Sequence, residues 1–421
     1  MNTTIILVII IVFAFVASRL LKRHAPAYFA FSGAEYLALG VVLGPLVTNF
    51  VQPQALLHLE PVISLLLGVV GFTLGLMFRE HFQNVRVFAP RSLASLIAIA
   101  IPGLGCYFFL RFVDLQVFSS DHILILSSAT IGVVASVSST SRIDAVARLL
   151  SADGWVTRNL RGFSVVSDVI AVFCFGIISA GMRTRVETTG VLDSFNTFSW
   201  LGASILIGFI CGILFIAFLG KVRSTPHIFL ATLGCVIFAS GVASALGLSP
   251  LFVNLIVGVT LALFSPHTGI LRPVIQRLEH PTLILLLIFA GIVWVPLSEM
   301  WLWAFVPIYL LLRFVGLRTA TGMMLPLSPG KKAAPRFGMG LLAQGVIAVA
   351  IAVDYRQLNP ESSSFVLTTL LLAVLAQDFL ATRSLRRVLA DAEELYTDMI
   401  LDTKDSGETM GQDPLTEARG G

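Results

Sequence analysis

Runs of about 20 apolar residues alternate along this chain with short stretches that hold nearly all of its Lys and Arg. A helix needs ~17–25 such residues to cross the hydrocarbon core of a bilayer. In lipid the backbone N–H and C=O groups must be satisfied within the protein, so repeated runs of this length point to spanning helices. Composition agrees: 56% of the 421 residues are hydrophobic and 12% are charged, against about 25% charged in soluble domains. Mean hydropathy is +0.90. A soluble enzyme, a disordered chain and a nucleic-acid binder are excluded. What remains is an all-α polytopic membrane protein, whose net charge of +4 is a matter of topology and not of acidic partners.

Thirteen segments meet the length requirement: 4–20, 28–50, 60–78, 92–112, 121–150, 156–182, 196–220, 227–246, 248–264, 280–297, 299–325, 337–355 and 363–382. The first has the length of a signal peptide, but its charges, Arg19, Lys22 and Arg23, follow the apolar stretch, as in an uncleaved first helix. They place the first loop in the cytoplasm and the N-terminus outside. Alternation then leaves 23 of the 28 Lys and Arg on the cytoplasmic side, four outside (Arg111, Arg183, Arg185 and Arg356) and one, Arg313, inside a span. The C-terminus is therefore expected in the cytoplasm. Residues 1–384 form the membrane domain and 385–421 a short tail, with acidic amphipathic character at 390–399 and disorder expected from 405 onward. The tail is too short for a nucleotide-binding domain, and no Gly-rich phosphate loop occurs in the sequence.

The four cysteines (Cys106, Cys174, Cys211 and Cys235) lie inside apolar runs without metal or disulfide spacing. The seven histidines fall at or beside segment ends, where a haem or metal site within the spans has no ligands. No cofactor is expected. Two segments do not read as simple spans. The run 121–150 is longer than one crossing and carries the polar patch Ser136-Val-Ser-Ser-Thr-Ser141 at its middle. Gly338-Met-Gly-Leu-Leu-Ala-Gln-Gly345 is rich in Gly and carries one amide. Both can interrupt helical hydrogen bonding at membrane depth, which is tolerated where the backbone lines a cavity or is buried in protein. A pair of interrupted segments is the best sequence pointer to a transporter's binding site.

An ionisable side chain at the centre of a span costs ~2.5–3.5 kcal/mol on insertion scales. Asp168, in Gly162-Phe-Ser-Val-Val-Ser-Asp168, has apolar residues on both sides and lies about 20 Å along a helix from Trp155. It can hold a proton or a cation; the plainer reading is a structural partner for an arginine. Arg313 must find a buried acceptor, either at that site or elsewhere. Asp378 suits a salt bridge with Arg383 or an interfacial position, and Glu35 divides between pathway and interface. Thr140, Ser138 and Ser139 offer oxygens suited to a monovalent cation, but Ser and Thr also join helices.

These residues resemble the monovalent cation:proton antiporters, nearest the bacterial branch that contains Kef-type and Na⁺/H⁺ exchangers. Glu35-Tyr-Leu-Ala-Leu-Gly-Val-Val-Leu-Gly-Pro45 is similar to the family's Gly-Tyr-Leu-x-x-Gly-x-x-Leu-Gly-Pro signature. Ser138-Ser-Thr140 followed by Asp168 resembles its crossed-helix motif and acidic ion site. Leu248-Ser-Pro-Leu-Phe-Val-Asn-Leu-Ile-Val-Gly258, Arg313-Phe-Val-Gly316 and Leu342-Ala-Gln-Gly345 resemble later motifs in the family's order.

The resemblance implies thirteen helices in inverted repeats, with two interrupted helices that cross. It implies an ion-carrying core, about 92–182 and 299–382, moving against a dimeric scaffold, about 4–78 and 227–297. Asp168, Thr140, Ser139 and Ser167 would bind cation and proton; Arg313, Asp378 and Glu35 would pair or tune; Ser138, Gln344 and Gly345 would form the interruptions. Na⁺ or K⁺ and H⁺ are the implied substrates, with membrane lipid as surroundings, a homodimer as assembly and the inner (plasma) membrane as location. Ser167 stands where the family has Asp, Asn or Gln, and Val346 where the Kef branch often has Glu, so a single carboxylate and near-electroneutral exchange are expected. A transport-inactive sensor derived from an antiporter, or a sodium-coupled symporter on the same fold, are the alternatives.

Overall fold

The computed structural model describes residues 33–48, 50–51, 53–82, 85–112, 120–183, 196–219, 225–265, 268–295, 303–324, 336–360 and 363–394. The first expected span, 4–20, lies outside the described residues, as does the tail beyond 394. Among the described residues all regular structure is helical. In chain order the helices are α1 (Ala34–Leu43), α2 (Pro53–Leu76), α3 (Phe78–Phe82), α4 (Val85–Phe112), α5 (Asp121–Ser136), α6 (Thr140–Leu149) and α7 (Trp155–Arg183). Then follow α8 (Thr197–Leu219), α9 (Thr225–Ala245), α10 (Pro250–Phe264), α11 (Thr268–Val293), α12 (Phe305–Met324), a 3₁₀ turn (Phe337–Leu341), α13 (Val346–Leu358) and α14 (Ser363–Asp391).

Six of these stretches are long and apolar enough to cross a membrane unaided, among them Asp121–Leu149, Trp155–Arg183 and Thr197–Phe218. The surface is apolar where lipid would touch it. On α8, Leu206, Phe209, Ile210, Leu214 and Phe218 are all exposed, the inverse of a soluble helix. The protein is a multi-pass integral membrane protein.

Helix packing divides the described chain into two sets. In one, α2 packs on α10 and α9, and α1 on α11; in the other, α4 packs on α5 and α12, and α7 on α4, α5 and α6. Contacts between the sets are sparse and run mainly from α13 and α7 to α2, α10 and α11. Lipid tails give apolar helices little reason to associate, so close approach has to come from small residues. At Gly40 an added Cβ would lie 2.1 Å from the Ile288 carbonyl, and at Gly71 one would lie 2.0 Å from that of Leu251. The glycines of the Glu35–Pro45 motif are thus where α1 and α11 touch backbone to backbone.

Both expected interruptions are present. Between α5 and α6 the chain turns extended at Val137 and Ser139 (ψ 135° and 99°). Ser hydroxyls compete for the backbone's hydrogen bonds, and Ser139 caps α6 by accepting from the Arg142 amide at 3.3 Å. The second interruption runs between the 3₁₀ turn and α13, whose N-cap is Gly345. The two meet: the Ser139 amide donates to the Ala343 carbonyl at 2.9 Å. A Cβ on Gly345 would sit 3.1–3.3 Å from Ser139 atoms, so glycine permits the contact.

The last helix continues past residue 385 to Asp391. Glu393 then adopts φ 56°, and the Glu394 carboxylate accepts from the Val156 and Thr157 amides at 2.5 and 3.0 Å and from Thr157 Oγ1 at 2.8 Å. It caps α7 across 238 residues, a carboxylate set on the positive end of a helix.

Candidate ion-binding site

Asp168 lies 13 residues into α7 and is 2% exposed. Its Oδ1 accepts from the Ser138 amide at 3.2 Å, so the carboxyl addresses the first interruption directly. Beside it lies a cavity of about 50 Å³, lined by Thr73 and Val70 of α2, by Ser138, Ser139, Thr140 and Ser141, and by Gly345 and Val346. That volume suits a small ion with a few waters. Ser141 and Met77 are also in its lining, and Ser141 is exposed, so the cavity opens at the end where Arg79 and Arg142 follow in sequence. In the other direction α7 continues through Val172 and Phe175, both buried, and Gly176 packs on the Phe252 ring. That side is closed.

Hydroxyls knit the carboxyl's surroundings. Thr140 Oγ1 lies 2.9 Å from Ser164 Oγ, which donates to the Ser138 carbonyl at 3.1 Å. Ser167 donates to the Ser136 carbonyl at 2.8 Å and lies 3.1 Å from Ser95 Oγ. Ser167 therefore braces α7 against the interruption. Ser138 Oγ is buried, lines the cavity and makes no hydrogen bond within the protein. An unsatisfied buried hydroxyl costs ~1–3 kcal/mol unless something occupies its lone pairs, and a cation in the cavity can do so.

Arg313, 0% exposed, sits behind the crossing. Nε donates to the Ala135 carbonyl at 2.9 Å, and Nη2 to those of Val137 at 2.6 Å and Leu341 at 3.3 Å. Nη1 donates to the Leu342 carbonyl at 2.6 Å and to Gln377 Oε1. The guanidinium thus serves the negative ends of α5 and of the 3₁₀ turn together. The Gln344 amide donates to the Val134 carbonyl and to Tyr309 Oη, both at 3.1 Å, pinning the second interruption to the first.

The site thus gathers Asp168, Thr140, Ser138, Ser139 and Gly345 around one cavity, with Ser167, Arg313 and Gln344 behind it. Glu35 is half-buried on α1 and does not line the cavity. Asp378 belongs to α14, but its side chain lies outside the described residues.

The sequence reading passed over Asp354. It is 0% exposed on α13, and Ser249 Oγ donates to its Oδ2 at 2.5 Å. Its Oδ1 has no hydrogen-bond partner. It stands one residue from the end of the expected segment 337–355 and two before Arg356, and nothing in that position signals its burial.

The sequence matches a family model described as sodium/hydrogen exchanger, transmembrane, over residues 8–390. No curated protein matches it. Among solved structures, the fold is similar to the sodium proton antiporter MjNhaP1 from Methanocaldococcus jannaschii at pH 8, with a TM-score of 0.61 and 14% identity over 93% of this chain and 97% of that one. Against an electron-microscopy map of the same antiporter the TM-score is 0.60 and the identity 13%, over 98% of this chain and 100% of that. At these identities the likeness speaks for the fold.

Proposed function

Because the chain belongs to the sodium/hydrogen exchanger family, we propose that it exchanges one monovalent cation, Na⁺ or K⁺, for one proton at Asp168. The observation that carries this reading is the position of the Asp168 carboxyl, buried beside a small cavity at the meeting of two interrupted helices. Deprotonated, the carboxylate takes a cation whose remaining ligands are the Ser138 and Thr140 hydroxyls, backbone carbonyls and water. Protonated, it has no charge to hold the cation. The two substrates therefore exclude one another, and one carboxyl carrying either a proton or a unit cation gives near-electroneutral exchange.

In this reading α4 to α7 and α12 to α14 form the moving core. Helices α1, α2 and α9 to α11 form the scaffold and the homodimer contact. With the N-terminus outside and the C-terminus cytoplasmic in an inner membrane, the cavity mouth beside Arg79 and Arg142 faces the cytoplasm, so the structure is inward-open. The test is proton flux in proteoliposomes holding a pH-sensitive dye, on addition of Na⁺, K⁺ or Li⁺. Cation-dependent flux in the parent protein and none with Asp168→Asn is the expected result. A parent protein silent to all three cations would favour a sensor, and full flux in the variant would move the site elsewhere.

A further inference from the structure

Several hydrogen bonds tie the two helix sets together at the end remote from the cavity mouth. Arg183 Nε, at the end of α7, donates to the Leu246 carbonyl at 2.8 Å. Trp294 Nε1 donates to Thr368 Oγ1 of α14 at 2.9 Å. Gln357 of α13 donates to the Glu60 carbonyl of α2 at 3.4 Å; Glu60 lies 17 residues before Met77 at the mouth, about 25 Å along the helix. Among them the Ser249–Asp354 bond is the short one and is fully buried.

Its setting is unusual. Ser249 is the N-cap of α10 and accepts from the Phe252 amide at 3.1 Å, while Asp354 lies beside the Leu251 amide in the same first turn. A carboxyl on α13 therefore completes the cap of a helix in the other set, where the helix dipole favours negative charge. Oδ2 is bonded, and Oδ1 has no hydrogen-bond partner within the protein. Parting α13 from α10 breaks the bond but hydrates both oxygens, so the closed form is held without being locked.

Resting on the moving-core reading above, we infer that Asp354 and Ser249 form the outer latch of alternating access. Asp354 is a positioning residue that favours the inward-open form. Separation of α13 from α10 at this bond is the step that opens the outer path to Asp168. Val172 lies one turn from Asp168 toward that end and is buried, so an open outer path must pass it.

The test uses two single-cysteine reporters, Met77→Cys at the mouth and Val172→Cys on the sealed side, in protein with its four cysteines changed to Ala. A membrane-impermeant maleimide is applied to each face of oriented vesicles. Loss of one buried hydrogen bond shifts such an equilibrium by up to about tenfold. With Ser249→Ala or Asp354→Ala, labelling at Met77→Cys should slow and outside labelling at Val172→Cys should rise by about that factor. Asp354→Asn retains an acceptor for Ser249 and should stay close to the parent. Unchanged labelling in both alanine variants would overturn the latch, as would faster labelling at both reporters, which signals general loosening, or an Asn variant as displaced as Ala. Labelling reads conformation and not flux, so these outcomes are distinct from any failure of Asp168→Asn to abolish exchange.

Discussion

Replacing Arg313 by alanine would strip the shared partner from four main-chain carbonyls and from Gln377. The side chain is 0% exposed, so bulk water is not there to take its place. Each stranded buried acceptor costs ~1–3 kcal/mol. If water entering the vacated space serves two of the four carbonyls, roughly 2–6 kcal/mol remains. That is a large share of the ~5–15 kcal/mol that holds a typical domain. Lysine brings three donors against Arg's five and lacks the planar fork, so it serves part of the set. The expected order of thermal stability is parent, then Arg313→Lys, then Arg313→Ala, with several degrees across the series. Heating detergent-solubilised protein and following the surviving monodisperse fraction by size exclusion gives the order directly. An alanine variant melting within about 1 °C of the parent, or a lysine variant below alanine, would refute the view that Arg313 holds the crossing together.

Four further outcomes are expected. Asp168→Asn should fold and melt like the parent while losing cation-dependent proton flux in proteoliposomes. Exchange by the parent should hardly respond to a valinomycin-imposed potential; a strong response would call for a second titrating group, with Asp354 now joining Glu35 and Asp378 among the suspects. Ser138→Ala removes the cavity hydroxyl that has no partner within the protein. It should raise the cation KM severalfold with an unchanged melting temperature; the reverse pattern would make that hydroxyl structural. Gly40→Val should prevent α1 from reaching α11, since even a Cβ would lie 2.1 Å from a backbone oxygen, and the product should fail to purify as a monodisperse species.

The helical architecture and both interruptions were legible in the sequence because each has a compositional cause. Apolar length marks the spans, and Ser-Ser-Thr and the Gly-rich stretch mark places where backbone hydrogen bonds are cheaply diverted. Asp168 stood out because, serines apart, the six residues before it and the five after it are all apolar or glycine. What the sequence hid were partners distant along the chain. Arg313 invited a search for a carboxylate, yet most of its acceptors are backbone carbonyls, which every residue carries and no residue type advertises. Asp354 finds Ser249 across 105 positions, and Glu394 finds Val156 across 238. Nothing in the sequence pairs Ser95 with Ser167 or Ser164 with Thr140; the fold does.

The Glu394 cap bears on how the protein can be cut and fused. A stop placed at residue 385, where the apolar pattern ends, would remove the last turns of α14 and also uncap the helix that carries Asp168. The cap is a close fit: an added Cβ on Gly154 would fall 2.0 Å from the Glu394 side chain, so the carboxylate reaches the helix only over a glycine. Shortened versions and C-terminal tags should therefore begin beyond residue 394. An affinity handle spliced closer would compete for the start of α7, and the damage would surface as weakened exchange some 20 Å from the splice.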